Sequence, residues 1–204
     1  MRAASLRLEA LGFASLAVAA CVAPASAPPS PPSSDASGPA SGVDAPLPSP
    51  LPEIVARLDG EPVYLRQVTP LVRAKLDKVG GRATEKPALV REALREYLDR
   101  ELLLREAMAR GVEPDTRQLQ QLYDKARAEF TDETQWEQSL VGRGLDPQSF
   151  KVELRVQQTV SLFVARESGT EDMGATQEAM SRRAAAVVSL LERLRARSRI
   201  ETYL

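Results

Sequence analysis

The chain of 204 residues has no histidine, one cysteine, one tryptophan, four tyrosines and four phenylalanines. Without an imidazole, neither Ser-His-Asp chemistry nor histidine-ligated zinc is available to it. One thiol cannot close an intrachain disulfide. Basic and acidic residues number 27 and 28, and they alternate along the chain without basic blocks, which argues against nucleic acid as a ligand. Gly80-Gly81 has no adjoining strand, lysine or further glycines, so it reads as a connector and not as a phosphate loop. No apolar run approaches the roughly 20 residues that a membrane-spanning helix requires. No cofactor and no metal are expected.

The one cysteine is informative by its position. Cys21 closes the apolar run Ala10 to Ala20, which is preceded by Arg2 and Arg7. The segment Leu16-Ala17-Val18-Ala19-Ala20-Cys21 resembles the lipobox of a bacterial lipoprotein signal peptide. The resemblance implies cleavage before Cys21 and acylation of its thiol, so residues 1–20 are expected to be a signal peptide and Cys21 the lipidation site. Glu9 departs from the usual uncharged entry to such a core. Val22 in place of aspartate is similar to the outer-membrane sorting pattern. A secretory signal cut elsewhere, with Cys21 incidental, is the alternative, and so is a soluble protein with an apolar start.

After Cys21 the composition changes. Val22 to Pro52 holds ten of the fifteen prolines, almost all the rest being Ala, Ser, Gly, Val, Leu and Asp. Such a segment cannot bury enough apolar surface to offset its ordering entropy. Residues 21–52 therefore read as a lipidated, disordered Pro/Ala/Ser tether, with an extended reach on the order of 90 Å at about 3.1 Å per residue. Cleavage would remove Arg2, Arg7 and Glu9, leaving 25 basic against 27 acidic residues. Neither sign dominates.

Residues 53–204 are long enough for one sizeable core or two small ones. Two short alternating stretches from Ile54 to Leu65 meet at Asp59-Gly60, which predicts a β-hairpin. From Leu65 the apolar period becomes helical, with Val68, Leu71, Val72, Lys75 and Leu76 on one side, up to Gly80-Gly81. Pro87 opens a long second helix carrying Val90, Leu94, Tyr97, Leu98, Leu102, Leu104 and Met108, and Gly111-Val112 stops it with a Schellman-like cap. A third helix is expected over 114–130. A short fourth, capped by Asp132, carries Trp136, Leu140 and Val141. A fifth starts at Asp146-Pro147 and reaches about Arg166. Glu167 to Ala175 interrupts the pattern before a last helix over 176–197 with Met180, Ala184, Val187, Leu191 and Leu194 facing one way. Arg199 to Leu204 alternates like a strand and needs the hairpin as its partner. The fold class is thus mainly α: about six helices, with a small β-hairpin pairing with a carboxy-terminal strand.

Several segments together carry a resemblance. Val55-Ala-Arg-Leu-Asp-Gly-Glu-Pro-Val63, Leu98-Asp-Arg-Glu-Leu-Leu-Leu-Arg-Glu-Ala107, Arg110-Gly-Val-Glu-Pro114, Gly144-Leu-Asp-Pro-Gln-Ser-Phe-Lys-Val-Glu-Leu154 and Leu194-Arg-Ala-Arg-Ser-Arg-Ile-Glu201 resemble the SurA and PrsA group of periplasmic folding factors. The resemblance implies a chaperone module in which amino-terminal helices combine with a carboxy-terminal helix and strand. In that group one or more parvulin domains, which isomerise prolyl bonds, are inserted between the two parts. Here the insertion point corresponds to Glu167–Ala175, a stretch too short to contain such a domain, and the histidines of a parvulin site are missing.

The function expected is that of a lipid-anchored, non-catalytic, chaperone-like protein of the bacterial envelope, binding unfolded or extended polypeptides such as outer-membrane or secreted proteins. Its place would be the outer membrane, facing the periplasm. Tyr123, Phe130, Trp136 and Phe150 are the candidate peptide-binding residues, although each taken singly reads more readily as core. Glu92, Asp99, Glu101 and Glu106 alternate with Arg91, Arg95, Arg100 and Arg105 and read as pairs on a helix surface, not as a carboxylate site. Two other functions remain open: an assembly or structural lipoprotein binding one dedicated envelope partner, and a parvulin-type prolyl isomerase.

Overall fold

A computed structural model describes residues 47–48, 50–78 and 86–204. The expected signal peptide, Cys21, most of the tether and Gly80-Gly81 lie outside the described residues. The elements run β1 (Ile54–Leu58), β2 (Glu61–Tyr64), α1 (Leu65–Lys78), α2 (Lys86–Ala109), α3 (Thr116–Arg127), α4 (Glu133–Gly142), α5 (Pro147–Glu167), α6 (Gln177–Arg197) and β3 (Ile200–Thr202). The protein is mainly helical, with one antiparallel sheet of order β2-β1-β3.

The hairpin follows from two residues. Asp59 and Gly60 both take positive φ, 52° and 87°, the requirement of a type I′ turn whose twist matches that of the strands it joins. Leu58 then pairs with Glu61. Asp59 has a second task, because its N–H donates to the Arg199 carbonyl at 2.8 Å while its Oδ1 accepts from the Arg199 N–H at 2.7 Å. One turn residue thereby fixes the start of β3, which pairs with β1 as Leu58↔Ile200, Arg57↔Glu201 and Ala56↔Thr202. As the middle strand, β1 buries Val55, Ala56 and Leu58 completely.

Helix α2 is the hub. Its 24 residues span about 36 Å at roughly 1.5 Å per residue, and it packs against α1, α5 and α6. Val90, Leu94, Tyr97, Leu98 and Leu102 are buried as expected, but Met108 is 66% exposed and Leu103 takes a core position instead. The apolar stripe continues through Leu103 and Ala107, which leaves Met108 on the outer face. The cap is a Schellman motif: Val112 N–H donates to the Ala107 carbonyl at 2.9 Å and Gly111 N–H to that of Met108 at 3.0 Å, with Gly111 at the φ of 66° that a side chain would disfavour. Gln67 ties the sheet to α2, accepting from the Tyr64 N–H at 2.8 Å and donating to the Tyr97 hydroxyl at 2.9 Å.

Helices α3 to α6 open on side-chain caps from Asp115, Asp132, Asp146 and Thr176. Helix α3 is shorter than the expected 114–130 because Asp115 caps it and Ala128 ends it. Helix α1 continues through Pro70, which sits beyond the first turn. On α6 the inward face is Ala179, Val187, Leu190, Leu191 and Leu194, whereas Met180 is 49% exposed and Ala184 is exposed too. The shift has a polar cause. Arg183 turns inward, donating from Nε to Thr170 Oγ1 at 2.8 Å and from its terminal nitrogen to the Thr170 carbonyl at 2.9 Å. Thr170 is fully buried, and this clamp closes the short connection between α5 and α6.

Asp59→Ala should lower the urea unfolding midpoint by an amount equivalent to about 1.5–3.5 kcal/mol, combining about 1–2 for the left-handed backbone with about 0.5–1.5 for the lost hydrogen bond from the Arg199 N–H. Asp59→Asn tolerates that backbone and retains the acceptor, so its midpoint should stay close to that of the parent.

Candidate functional site

Two clusters of buried apolar side chains organise the helices. The larger joins the sheet with α1, α2, the second half of α5 and α6, through residues such as Val55, Val68, Leu94, Phe163 and Leu194. The smaller consists of Ala126, Trp136, Leu140 and Phe150, with Tyr123, Phe130 and Leu145 packed against it. Helix α5 reaches both, contributing Phe150 to one and Val160, Phe163 and Val164 to the other.

The four candidate aromatics therefore meet in one place. Trp136 stands edge-on to Tyr123, with centroids 5.9 Å apart and planes at 87°, and edge-on to Phe150 at 5.1 Å and 90°. Phe130 packs on Trp136 at 5.3 Å. Such edge-to-face pairs add about 0.5–1.5 kcal/mol beyond area burial. In this arrangement Trp136 and Phe150 are 1% and 3% exposed, so they hold α3, α4 and α5 together and present no surface to a ligand. Tyr123 and Phe130 are half-buried and keep one side accessible. Lys151 Nζ lies 4.4 Å above the Tyr123 ring, a cation at the edge of the patch. Val141, expected to pack beside Trp136, is 70% exposed: Leu140 and Leu145 fill the inner side of the α4 end, where the Leu145 N–H caps the Leu140 carbonyl at 3.0 Å. Trp136 Nε1 is buried without a hydrogen-bond partner, at a cost of about 1–3 kcal/mol.

The charged residues of α2 reach further than pairs along one helix. Asp99 receives two bonds from Arg195 of α6, one of them at 2.9 Å from Nε. Arg100 pairs with Glu153 of α5, Arg105 with Glu61 of β2 at 2.5 Å, and Lys75 of α1 with Glu92 and Glu96 at 2.7 and 2.9 Å. Glu106 sits between Arg110 at 2.7 Å and Arg197 of α6. Burial pushes the Glu106 carboxyl up, but the guanidinium hydrogen bonds from Arg110 and Arg197 together outweigh it and hold the group below the usual carboxylate range. A depression of about 320 Å³ lies over this network, lined by Asp59, Leu102, Arg105, Glu106, Leu194 and Arg197 among others. Its carboxylates are engaged by arginines, so the arrangement ties helices together. Among the described residues no group of His, Cys, Asp and Glu is placed to hold a metal ion, and no helix is long and apolar enough to cross a membrane.

Sequence reasoning missed two polar arrangements, the Arg183–Thr170 clamp and the bond between the Asp59 side chain and β3. The sequence signals near the second were the Asp59-Gly60 turn and the alternation of Arg199 to Leu204; the first had none. No protein-family model matches the chain, and no curated protein matches it.

Phe150→Ala should cost about 3–5 kcal/mol in unfolding free energy, and it should shift the emission of Trp136, the one tryptophan. An unchanged emission would mean that the ring contacts are not maintained in solution. Because the Glu106 value is depressed on folding, its stabilisation is complete above the unfolded-chain value of about 4.3 and is lost as pH falls through the lower folded value. Glu106→Gln should therefore lower the urea midpoint near neutral pH and leave it unchanged in strongly acid solution.

Proposed function

We propose that the protein is a lipid-anchored, non-catalytic chaperone-like factor of the bacterial cell envelope that holds extended or partly folded polypeptides. The observation that carries this reading is the return of β3 to β1 after six helices. The SurA and PrsA resemblance implies a module in which a carboxy-terminal helix and strand complete the amino-terminal part, and the α6–β3 pairing has that form. The short α5–α6 connection, sealed by Arg183 and Thr170, fits a version of the module with no inserted domain between those helices. Half-buried Tyr123 and Phe130 offer apolar contact without a deep pocket, which suits clients that share no side-chain pattern. Cys21 supplies the attachment, and the proline-rich segment before β1 the spacing.

Two experiments test the reading. The full chain should suppress aggregation of several unrelated unfolded proteins at modest stoichiometry without accelerating cis–trans exchange in a prolyl peptide. Protection of none of them, with selective capture of one envelope protein, would replace general chaperone action by service to a dedicated partner. Separately, Cys21→Ser should move the protein from the membrane fraction to the soluble fraction, and continued sedimentation with membranes would remove the anchor from the proposal.

A further inference from the structure

We propose that α3 and α4 form an arm that opens from α5 and closes over an extended polypeptide, the Trp136 indole N–H bonding a backbone carbonyl of that chain; this names the contact for the client binding proposed above, and it rests on that reading. The packing divides where such a motion needs it to. No residue between Val112 and Val160 belongs to the larger core, and every member of the smaller one lies in that interval. Among the described residues the smaller core has four buried members against twenty. Parting it exposes far less apolar surface than unfolding the chain, so local opening precedes global unfolding.

Ties to the other elements show which parts move. Both α3 and α4 pack on α5, and Arg127 of α3 is paired with the Glu133 carboxylate of α4, which joins the two into one unit. Helix α5 stays behind: its Val160, Phe163 and Val164 are held in the larger core, and its Glu153 receives Arg100 of α2. The seam therefore runs between Phe150 and the two rings it meets across it, Trp136 at 5.1 Å and Tyr123 at 6.0 Å. Phe130, at 5.3 Å from Trp136, travels with the arm.

Trp136 supplies the chemistry. Its Nε1 is, among the described residues, the one buried side-chain nitrogen or oxygen without a hydrogen-bond partner; the hydroxyls of buried Thr159 and Thr170 both have theirs. An orphaned donor destabilises only the closed arrangement, and the penalty is lifted once an acceptor reaches the N–H. Water can be that acceptor, and so can a peptide carbonyl. Only the carbonyl arrives with apolar side chains for the ring faces and for Leu140. A cleft with apolar walls and one donor thus suits an extended segment that carries apolar side chains beside free backbone carbonyls, whatever its order of residues.

Trp136 is the one tryptophan, so its indole N–H gives a single proton resonance that reports on the cleft in the full chain. In deuterated water that proton should exchange, relative to its intrinsic rate, about tenfold or more faster than the backbone N–H groups of Leu102 and Leu103 in α2. A fluorescein-labelled peptide of repeating Leu-Ser-Phe-Lys, which has no tryptophan, should move the resonance downfield and slow its exchange. Trp136→Phe keeps a ring and removes the donor, and it should weaken peptide binding, read by anisotropy, about three- to tenfold. Indole exchange no faster than that of Leu102 and Leu103, a resonance that bound peptide leaves unmoved, or binding by Trp136→Phe equal to that of the parent would overturn the arm and its donor while leaving the chaperone reading in place. Failure of the parent to bind this peptide or any other unfolded chain would overturn both. A resonance that moves with protein concentration in the absence of peptide would give the cleft to a second copy and likewise overturn the proposal.

Discussion

The rest of the structure depends on bringing Arg199 to Asp59 across 140 positions of chain. Closing a loop of that length costs about 4 kcal/mol in chain entropy before any constant, and a strand of three residues cannot offset that alone. The closure is stabilised mainly by the helix that delivers the strand. Leu190, Leu191 and Leu194 are buried in the larger core, and Arg195 and Arg197 bind Asp99 and Glu106 of α2. β3 is thus the last part of a docking that α6 has already made favourable, and Asp59 sets its register.

Seen from α2, the many ion pairs of its charged residues have a positional role. Exposed ion pairs contribute about 0–1 kcal/mol each, so they add little to overall stability. Their partners, however, lie on α1, β2, α5 and α6, and a wrong sliding of any of these elements along α2 would leave charges mismatched. The apolar stripe fixes which face is buried; the charges restrict the register along it.

Much of the fold was legible because its signals are local. Asp-Gly specifies the turn, Asp132 and Asp146 specify two helix starts, and Gly111 specifies a stop, each through bonds within a few residues. The misplacements at Met180, Ala184 and Val141 share another origin. Periodicity treats every apolar residue as a candidate for the core, but Arg183 was drawn inward by Thr170, and at the end of α4 the cap leucines already filled the space beside Trp136. The four candidate aromatics meet in one cluster, a juxtaposition that sequence did not show, nor could it separate Trp136 and Phe150, which are buried, from Tyr123 and Phe130, which are half-buried.

The separation of β1 from β3 along the chain also imposes a timetable. The chain emerges with the hairpin first, and the middle strand then has only β2 beside it for the whole interval in which residues 65–199 follow. Throughout that interval β1 carries a vacant side that any passing strand can occupy, its own late-arriving partner being only one competitor. If the protein holds unfinished chains as proposed, its own chain, while it emerges, needs the same protection.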